Sequence, residues 1–431
     1  MSYRKTSIIK NLDWVLVTLL FILLIFGWIN IISATSNIEM ADWLDWNGKA
    51  GKQLLWMGIC TVFALVIVNI ESEFFIRTSI LQYLATLLML TAVLIIGKKV
   101  GGARSWFGLG GFSLQPSEFA KPTTALALSW YISRDNSKWE SVKSRIFSIL
   151  IVGIPACLIL LQPDAGTVLV FAGFVFVLYR EGLSGNVLIL GFAAMIVGIA
   201  TILIGSWGGI NWFWGVWILF GSAMLYLIRE ATVPRKRKSL TIWGSILLIA
   251  GLFLSVGLHT GMEKVLKPHQ RERIQVLFGI DVSNPDADYN IRHAKAAIGS
   301  GGFSGKGWMN GPMTAYSFVP EQETDFIFCT IGEEWGFIGT ISVVILFTFL
   351  LLRVIFIAER QRSKFTRVYA YGVASILFMH FLVNIGMVLG LAPVIGIPLP
   401  FFSYGGSSLL GFTFLFGVLL RLDGERFKML R

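Results

Sequence analysis

Apolar runs of about twenty residues, repeated along most of the chain, constrain its fold more than any other feature. Each can cross a bilayer core of roughly 30 Å as a helix. In lipid, only helices and closed barrels satisfy their own backbone hydrogen bonds. Charged residues make up 14% of the 431 positions against 55% hydrophobic, far below the charged share of soluble domains. The apolar stretch from Leu12 to Ile32 follows a basic start and lacks a convincing cleavage site, so it reads as a retained first span. The expected fold is an all-α polytopic integral membrane protein of about twelve transmembrane helices, with both termini on one side.

A net charge of +11 would suit a nucleic-acid partner if it were spread over a soluble face. Here it is concentrated in loops. Arg134, Lys138, Lys143 and Arg145 fall together, as do Arg235, Lys236, Arg237 and Lys238. The positive-inside rule then puts these loops and both termini in the cytoplasm, so the basic balance reports topology and no nucleic-acid partner is expected. The cysteines, Cys60, Cys157 and Cys329, lie within or at the ends of apolar runs, with neither a disulfide framework nor metal-ligand spacing.

The chain divides into 1–258, with nine spans; 259–325, a long polar loop; and 326–431, with three more spans. The same topology puts the long loop outside the cytoplasm. Loops of that length are usually functional or disordered, and this one carries His269-Gln270-Arg271-Glu272-Arg273, an acidic stretch from Asp281 to Asp288, and a glycine-rich run from Gly299 to Gly307. The glycine run is not a Walker site, because Gly307 follows Lys306, Ser300 stands where its first glycine belongs, and no strand precedes it. Its amides can still approach an anion. Arg104, Arg271, Arg273 and Lys306 are candidates to bind a diphosphate. Asp281, Asp286, Asp288, Glu321, Glu323 and Asp325 are candidate general bases.

Ionisable groups at membrane depth face a cavity or a partner. Glu118 and Lys121 are three residues apart, on one helical face, near the start of the span opened by Gln115-Pro116-Ser117. They read either as an orienting ion pair or as the polar wall of a substrate site. Asp164 reads as a helix cap, and His380 with Asn384 as a satisfied polar pair. The segment from Pro393 to Ser408, rich in proline and glycine, cannot continue a helix and is expected to pack beside the long loop.

Several of these motifs, in this order, resemble the SEDS family of bacterial cell-wall polymerases, the group containing RodA and FtsW. They are Arg104-Ser105-Trp106, Gln115-Pro116-Ser117-Glu118-Phe119-Ala120-Lys121, Gln162-Pro163-Asp164, His269 to Arg273, Ala297 to Gly302, Pro320 to Phe328, Gly332 to Gly336, and Gly396 to Ser408 with its Ser403. The forms of His269-Gln270-Arg271 and Ile298 to Gly302 lean toward the elongation member rather than the division one. The resemblance implies peptidoglycan glycosyltransfer in the bacterial cytoplasmic (inner) membrane. Lipid II, a disaccharide-pentapeptide on undecaprenyl pyrophosphate, is polymerised at the outer face, for cell elongation and shape. A class B penicillin-binding protein is the implied partner, crosslinking the strands, with membrane lipid around both.

Carried over by motif, Arg104, Trp106, Gln115, Ser117, Glu321, Asp325 and Ser403 are expected around the substrate, with Glu118 and Lys121 as the charged pair. The family's catalytic Asp aligns with Ser283, six residues before Tyr289, so Asp281 is the first choice of base and Asp286 the second. The family has ten spans, which makes the extra two an inserted pair near 206–240. No cofactor is called for by the residues; a divalent cation, Mg or Mn, is compatible with a diphosphate leaving group. Two other classes fit the same composition: a flippase or transporter of the lipid-linked precursor, and a non-catalytic scaffold for the penicillin-binding protein.

Overall fold

The computed structural model describes residues 11–35, 46, 48–100, 103–109, 112–134, 142–191 and 286–426, with isolated positions between 193 and 257. It divides into two compact units, Met1–Leu183 with Asn290–Arg431, and Ser184–Tyr289. In the second unit Gly251 sits under Trp217, where a Cβ would meet the indole at 2.7 Å. The three spans expected between 185 and 258, the inserted pair near 206–240 and loop residues 259–285 fall mostly or wholly outside the described positions.

The first unit begins with helices α1 (Trp14–Thr35), α2 (Lys49–Asn69) and α3 (Ser72–Ile96). A three-stranded antiparallel sheet follows, of β1 (Lys98–Val100), β2 (Ala103–Leu109) and β3 (Phe112–Leu114), in that order. Next come α4 (Pro116–Arg134), α5 (Val142–Leu160), α6 (Ala165–Ala172) and α7 (Phe174–Arg180). Helix α8 (Asp286–Ser300) starts in the last residues of the second unit and continues into the first, followed there by α9 (Pro312–Ala315), α10 (Ile327–Glu334), α11 (Gly336–Glu359), α12 (Lys364–Val388) and α13 (Gly406–Gly424). Seven of these, α1, α2, α3, α5, α11, α12 and α13, are long and apolar enough to cross a membrane.

Helix α4 is not among the seven, and its packing explains its composition. It lies against α3, α5, α12, α13 and β2, and nearly all its residues from Pro116 to Ser129 are buried. A helix enclosed by protein needs no lipid-facing apolar surface, so Glu118, Lys121, Thr123 and Thr124 are tolerated there. Helix α2 shows the opposite arrangement: Val62 and Leu65 are about 60% exposed, the face a bilayer would cover.

The long loop is also less irregular than its polarity suggests. Ile291, Ala294 and Ala297 recur at helical spacing and are buried, which makes α8 an amphipathic helix. After α3, strands β1, β2 and β3 pair antiparallel, with Lys98 opposite Trp106 and Lys99 opposite Arg104.

At one end of the bundle, buried carboxylates tie the first helix to the last ones. Asp13 accepts from Arg353 and Arg360 at 2.7 and 2.8 Å. Arg360 also reaches Asp423, as do Gln361 and Arg426. The candidate residues gather at the opposite end, where α4, α6, α11 and α13 begin and α12 finishes.

Candidate active site at one end of the bundle

The geometry centres on the first two turns of α4. Proline at the first helical position and an acid in the first turn favour a helix start there. The Lys121 ammonium lies 2.8 Å from each carboxylate oxygen of Glu118, and both side chains are almost fully buried. A third acceptor comes from α12: His380 Nε2 is 2.9 Å from Lys121 Nζ. The face of Phe412 on α13 covers the ammonium, 4.9 Å from its centroid.

Helix α12 also holds the irregular segment that precedes α13. His380 Nδ1 donates to the carbonyl of Pro398 at 3.1 Å. One turn on, Asn384 Nδ2 donates to the carbonyls of Ile397 and Asp325 at 2.6 and 2.8 Å. His380 and Asn384 therefore do not satisfy each other, as their spacing on one helix suggests. Each bonds elsewhere, and together they bring the acidic segment and the proline segment to one place. The signal for this is present in the sequence, as two polar groups on one face of an apolar helix.

Other motif residues meet across the same end. Gln115 donates from Nε2 to Asp164 Oδ2 at 3.1 Å and from its backbone N–H to Ser407 Oγ at 2.9 Å. Asp164 caps α6 as expected, accepting from Thr167 N at 3.0 Å. Ser403 Oγ accepts from Leu399 N at 2.9 Å, and Glu323 is ion-paired with Lys49 at the start of α2. The backbone N–H of Tyr404 donates to the Glu323 carbonyl. Asp325 faces Gly396, where a Cβ would come within 3.1 Å of its Oδ2. Ser117 is buried in the first turn of α4. Helix α1 comes so close to the Phe402 backbone that a Cβ added at Gly27 would lie 2.5 Å from the Phe402 carbonyl oxygen, so only glycine fits there.

The expected diphosphate cations are placed differently from one another. Arg104 lies half-buried on β2, with Nη1 3.4 Å from the Leu94 carbonyl, and its cross-strand partner Lys99 is exposed. Trp106 is half-buried on the same strand. Lys306 is committed elsewhere, to Ser300 Oγ at 2.7 Å and Glu333 Oε1 at 2.9 Å. The glycine-run amides of Lys306 and Gly307 donate to the carbonyls of Glu333 and Glu334. Glu321 is exposed in a turn with Thr324. Arg271, Arg273 and Asp281 lie outside the described residues, and Asp286 is the first residue of α8.

Sequence reasoning assigns no role to Glu333 and Glu334, which end α10, a short helix ahead of the α11 span. Burial raises the Glu333 carboxyl, but hydrogen bonds from Lys306, Thr314 and the amides of Met313 and Thr314 outweigh it and hold it below its ordinary value. At Glu334 burial outweighs the hydrogen bonds from the Ser33 hydroxyl and the Met309 amide and pushes the carboxyl up to about 7. Among the described residues no three His, Cys, Asp or Glu side chains converge as metal ligands.

The sequence matches the cell cycle protein family FtsW/RodA/SpoVE over residues 13–211 and 215–428. It is 32% identical to the peptidoglycan glycosyltransferase MrdB of Escherichia coli strain K12 over 81% of this chain and 78% of that protein. To the peptidoglycan glycosyltransferase RodA of Treponema pallidum strain Nichols it is 30% identical, over 87% of this chain and 89% of that one. Among solved structures, it matches a chain of a peptidoglycan synthase complex with a TM-score of 0.69 at 26% identity, covering 97% and 99% of the two chains. It matches the Thermus thermophilus rod shape determining protein RodA with a TM-score of 0.61 at 25% identity, covering 97% and 98%.

Proposed function

The chain belongs to the FtsW/RodA/SpoVE family of cell cycle proteins, and we propose that it is a peptidoglycan glycosyltransferase that polymerises lipid II for cell elongation. The observation that carries this reading is the convergence of the family's motifs at one end of the bundle. Gln115 just before α4, Glu118 and Lys121 on α4, Asp164 before α6, Asp325 before α10 and the segment 396–408 are linked there by direct hydrogen bonds or close packing.

Arginines supply the sidedness. Arg353, Arg360, Arg421 and Arg426 cluster at the opposite end, and the positive-inside rule assigns that end, with both termini, to the cytoplasm. The candidate site then faces outward from the bacterial cytoplasmic membrane, on the side where lipid II presents its sugar.

In the reaction, the 4-hydroxyl of one GlcNAc attacks the anomeric carbon of MurNAc in a second lipid II. A C–O bond forms as the bond to the undecaprenyl diphosphate breaks. An α-linked donor giving a β-linkage is an inverting displacement, for which one carboxylate base suffices. Asp281 or Asp286 takes the proton of the attacking hydroxyl. Arg104 and Lys99, with Arg271 and Arg273, meet the charge developing on the leaving diphosphate. A class B penicillin-binding protein crosslinks the product.

The test is strand formation from purified lipid II, with and without the cognate penicillin-binding protein carrying an inactivated transpeptidase. Wild type is compared with Asp281→Ala, Asp286→Ala and Ser283→Asp. Loss of strands in Asp281→Ala alone supports this base. A sharp rise in Ser283→Asp means that this chain carries a weakened site. No strands from any folded variant, partner present, shifts the reading to precursor transport or to scaffolding.

A further inference from the structure

Resting on the polymerase reading, we propose that His380 is a positioning residue for the reaction: it fixes the Lys121 ammonium against Glu118 and ties both to the proline segment. A lysine ammonium has three protons and no acceptor capacity. Here all three have partners, Glu118 Oε1, Glu118 Oε2 and His380 Nε2, at 2.8, 2.8 and 2.9 Å. While His380 is in place, Lys121 has no proton to offer a substrate. It acts as a fixed charge that orients Glu118, not as a hydrogen-bond donor to the sugar or the diphosphate.

The imidazole tautomer follows from its two partners. A carbonyl oxygen only accepts, so Nδ1, 3.1 Å from the Pro398 oxygen, carries the hydrogen. Nε2 is then the lone-pair nitrogen, as acceptance from Lys121 requires. His380 is 2% exposed, and the Phe412 ring meets it edge-on at 4.9 Å. That packing leaves one orientation for the ring.

The other end of this link is equally well held. Pro398 lies between Ile397, whose carbonyl accepts from Asn384, and Leu399, whose amide donates to Ser403. Three side chains therefore pin three consecutive residues, two of them from one face of α12. Any displacement of the proline segment is transmitted through His380 to the cation on α4.

Two substitutions separate the two contacts. His380→Asn places an amide near the Nδ1 position, keeping Pro398 but leaving Lys121 without its third acceptor. His380→Gln reaches the Nε2 position and restores that acceptor, without the bond to Pro398. Strand formation from lipid II is measured with the partner present, alongside thermal stability. His380→Asn should lower kcat at least about tenfold with KM within about twofold of wild type, and His380→Gln should recover most of the loss. In protein labelled with 15N-histidine, His380 should be protonated at Nδ1, and Lys121→Met should shift its Nε2 resonance.

Wild-type kcat in a folded His380→Asn variant would overturn the proposal. So would equal defects in the two variants, a rise in KM alone, or an Nε2–H tautomer. If His380→Asn does not fold, His380→Gln and the nitrogen spectrum decide. If wild-type protein forms no strands, the polymerase reading fails by itself, and the spectrum still decides whether His380 holds Lys121.

Discussion

Gln115 and Asp164, 49 residues apart in the chain, are joined by a hydrogen bond of 3.1 Å from Nε2 to Oδ2. Asp164 meanwhile caps α6 through Thr167. One side chain thus serves a helix start and a link to α4, and two substitutions separate these roles. Asp164→Asn keeps one capping oxygen and should retain near wild-type thermal stability, with reduced strand formation. Asp164→Ala should also lose about 1 kcal/mol of stability from the missing cap, measured by thermal unfolding in detergent. Equal activity in both variants and wild type would leave Asp164 a cap and nothing more.

The buried Glu118–Lys121 pair allows a sharper separation of structure from function. Removing one partner leaves an uncompensated buried charge, so Glu118→Gln or Lys121→Met alone should destabilise by about 3–5 kcal/mol. Replacing both, as Glu118→Gln with Lys121→Met, removes the charge altogether and should recover most of that stability. Strand formation should stay lost in the double variant if the pair acts in the reaction. A double variant with restored folding and restored activity would make the pair an orienting device only.

Much of this end of the molecule is legible in the sequence because charge is costly in an apolar helix. Glu118, Lys121, His380 and Asn384 stand out for that reason alone, and the cap at Asp164 follows from its place before an apolar run. Partners are not legible. Nothing local reveals that His380 faces Lys121, 259 residues away, or that Lys306 and the glycine-run amides turn to Glu333 and Glu334. Those choices come from how α10 packs under the glycine run, a tertiary relation with no sequence period. Helix α8 is hidden for another reason: its polar face dominates its composition, and only the spacing of Ile291, Ala294 and Ala297 marks its buried side.

The glycine run gives a paired prediction. Gly305 has φ +78°, and a Cβ there would meet the Glu334 carbonyl oxygen at 2.1 Å. Gly305→Ala therefore combines a left-handed backbone, costing about 1–2 kcal/mol, with a clash against backbone that has little room to move. Gly299, in the last turn of α8, has nothing within 4 Å of its Cβ position. Gly299→Ala should be neutral or stabilise by up to about 1 kcal/mol, while Gly305→Ala should lower the unfolding temperature clearly. Thermal unfolding of the two purified variants side by side checks this, and equal effects would contradict the assigned packing.

Glu334 should make the stability of the protein depend on pH in a narrow window. Burial pushes its carboxyl up to about 7, and the Ser33 hydroxyl that donates to it only partly opposes this. The folded state thus keeps a proton that the unfolded chain releases near the ordinary value of 4.5. A raised folded-state value means that the stabilisation is complete below the unfolded value and is lost as pH rises toward 7. The adjacent Glu333, held low by Lys306 and Thr314 among others, works in the opposite sense. Its contribution is lost only as pH falls below the ordinary carboxylate range, outside this window. The free energy of unfolding should therefore decline from about pH 5 to pH 7 and level off above, by an amount on the order of 1–3 kcal/mol, read as a falling unfolding temperature over the same window. Glu334→Gln, which is neutral at every pH, should flatten that decline. A slope unchanged in Glu334→Gln would assign it to other groups.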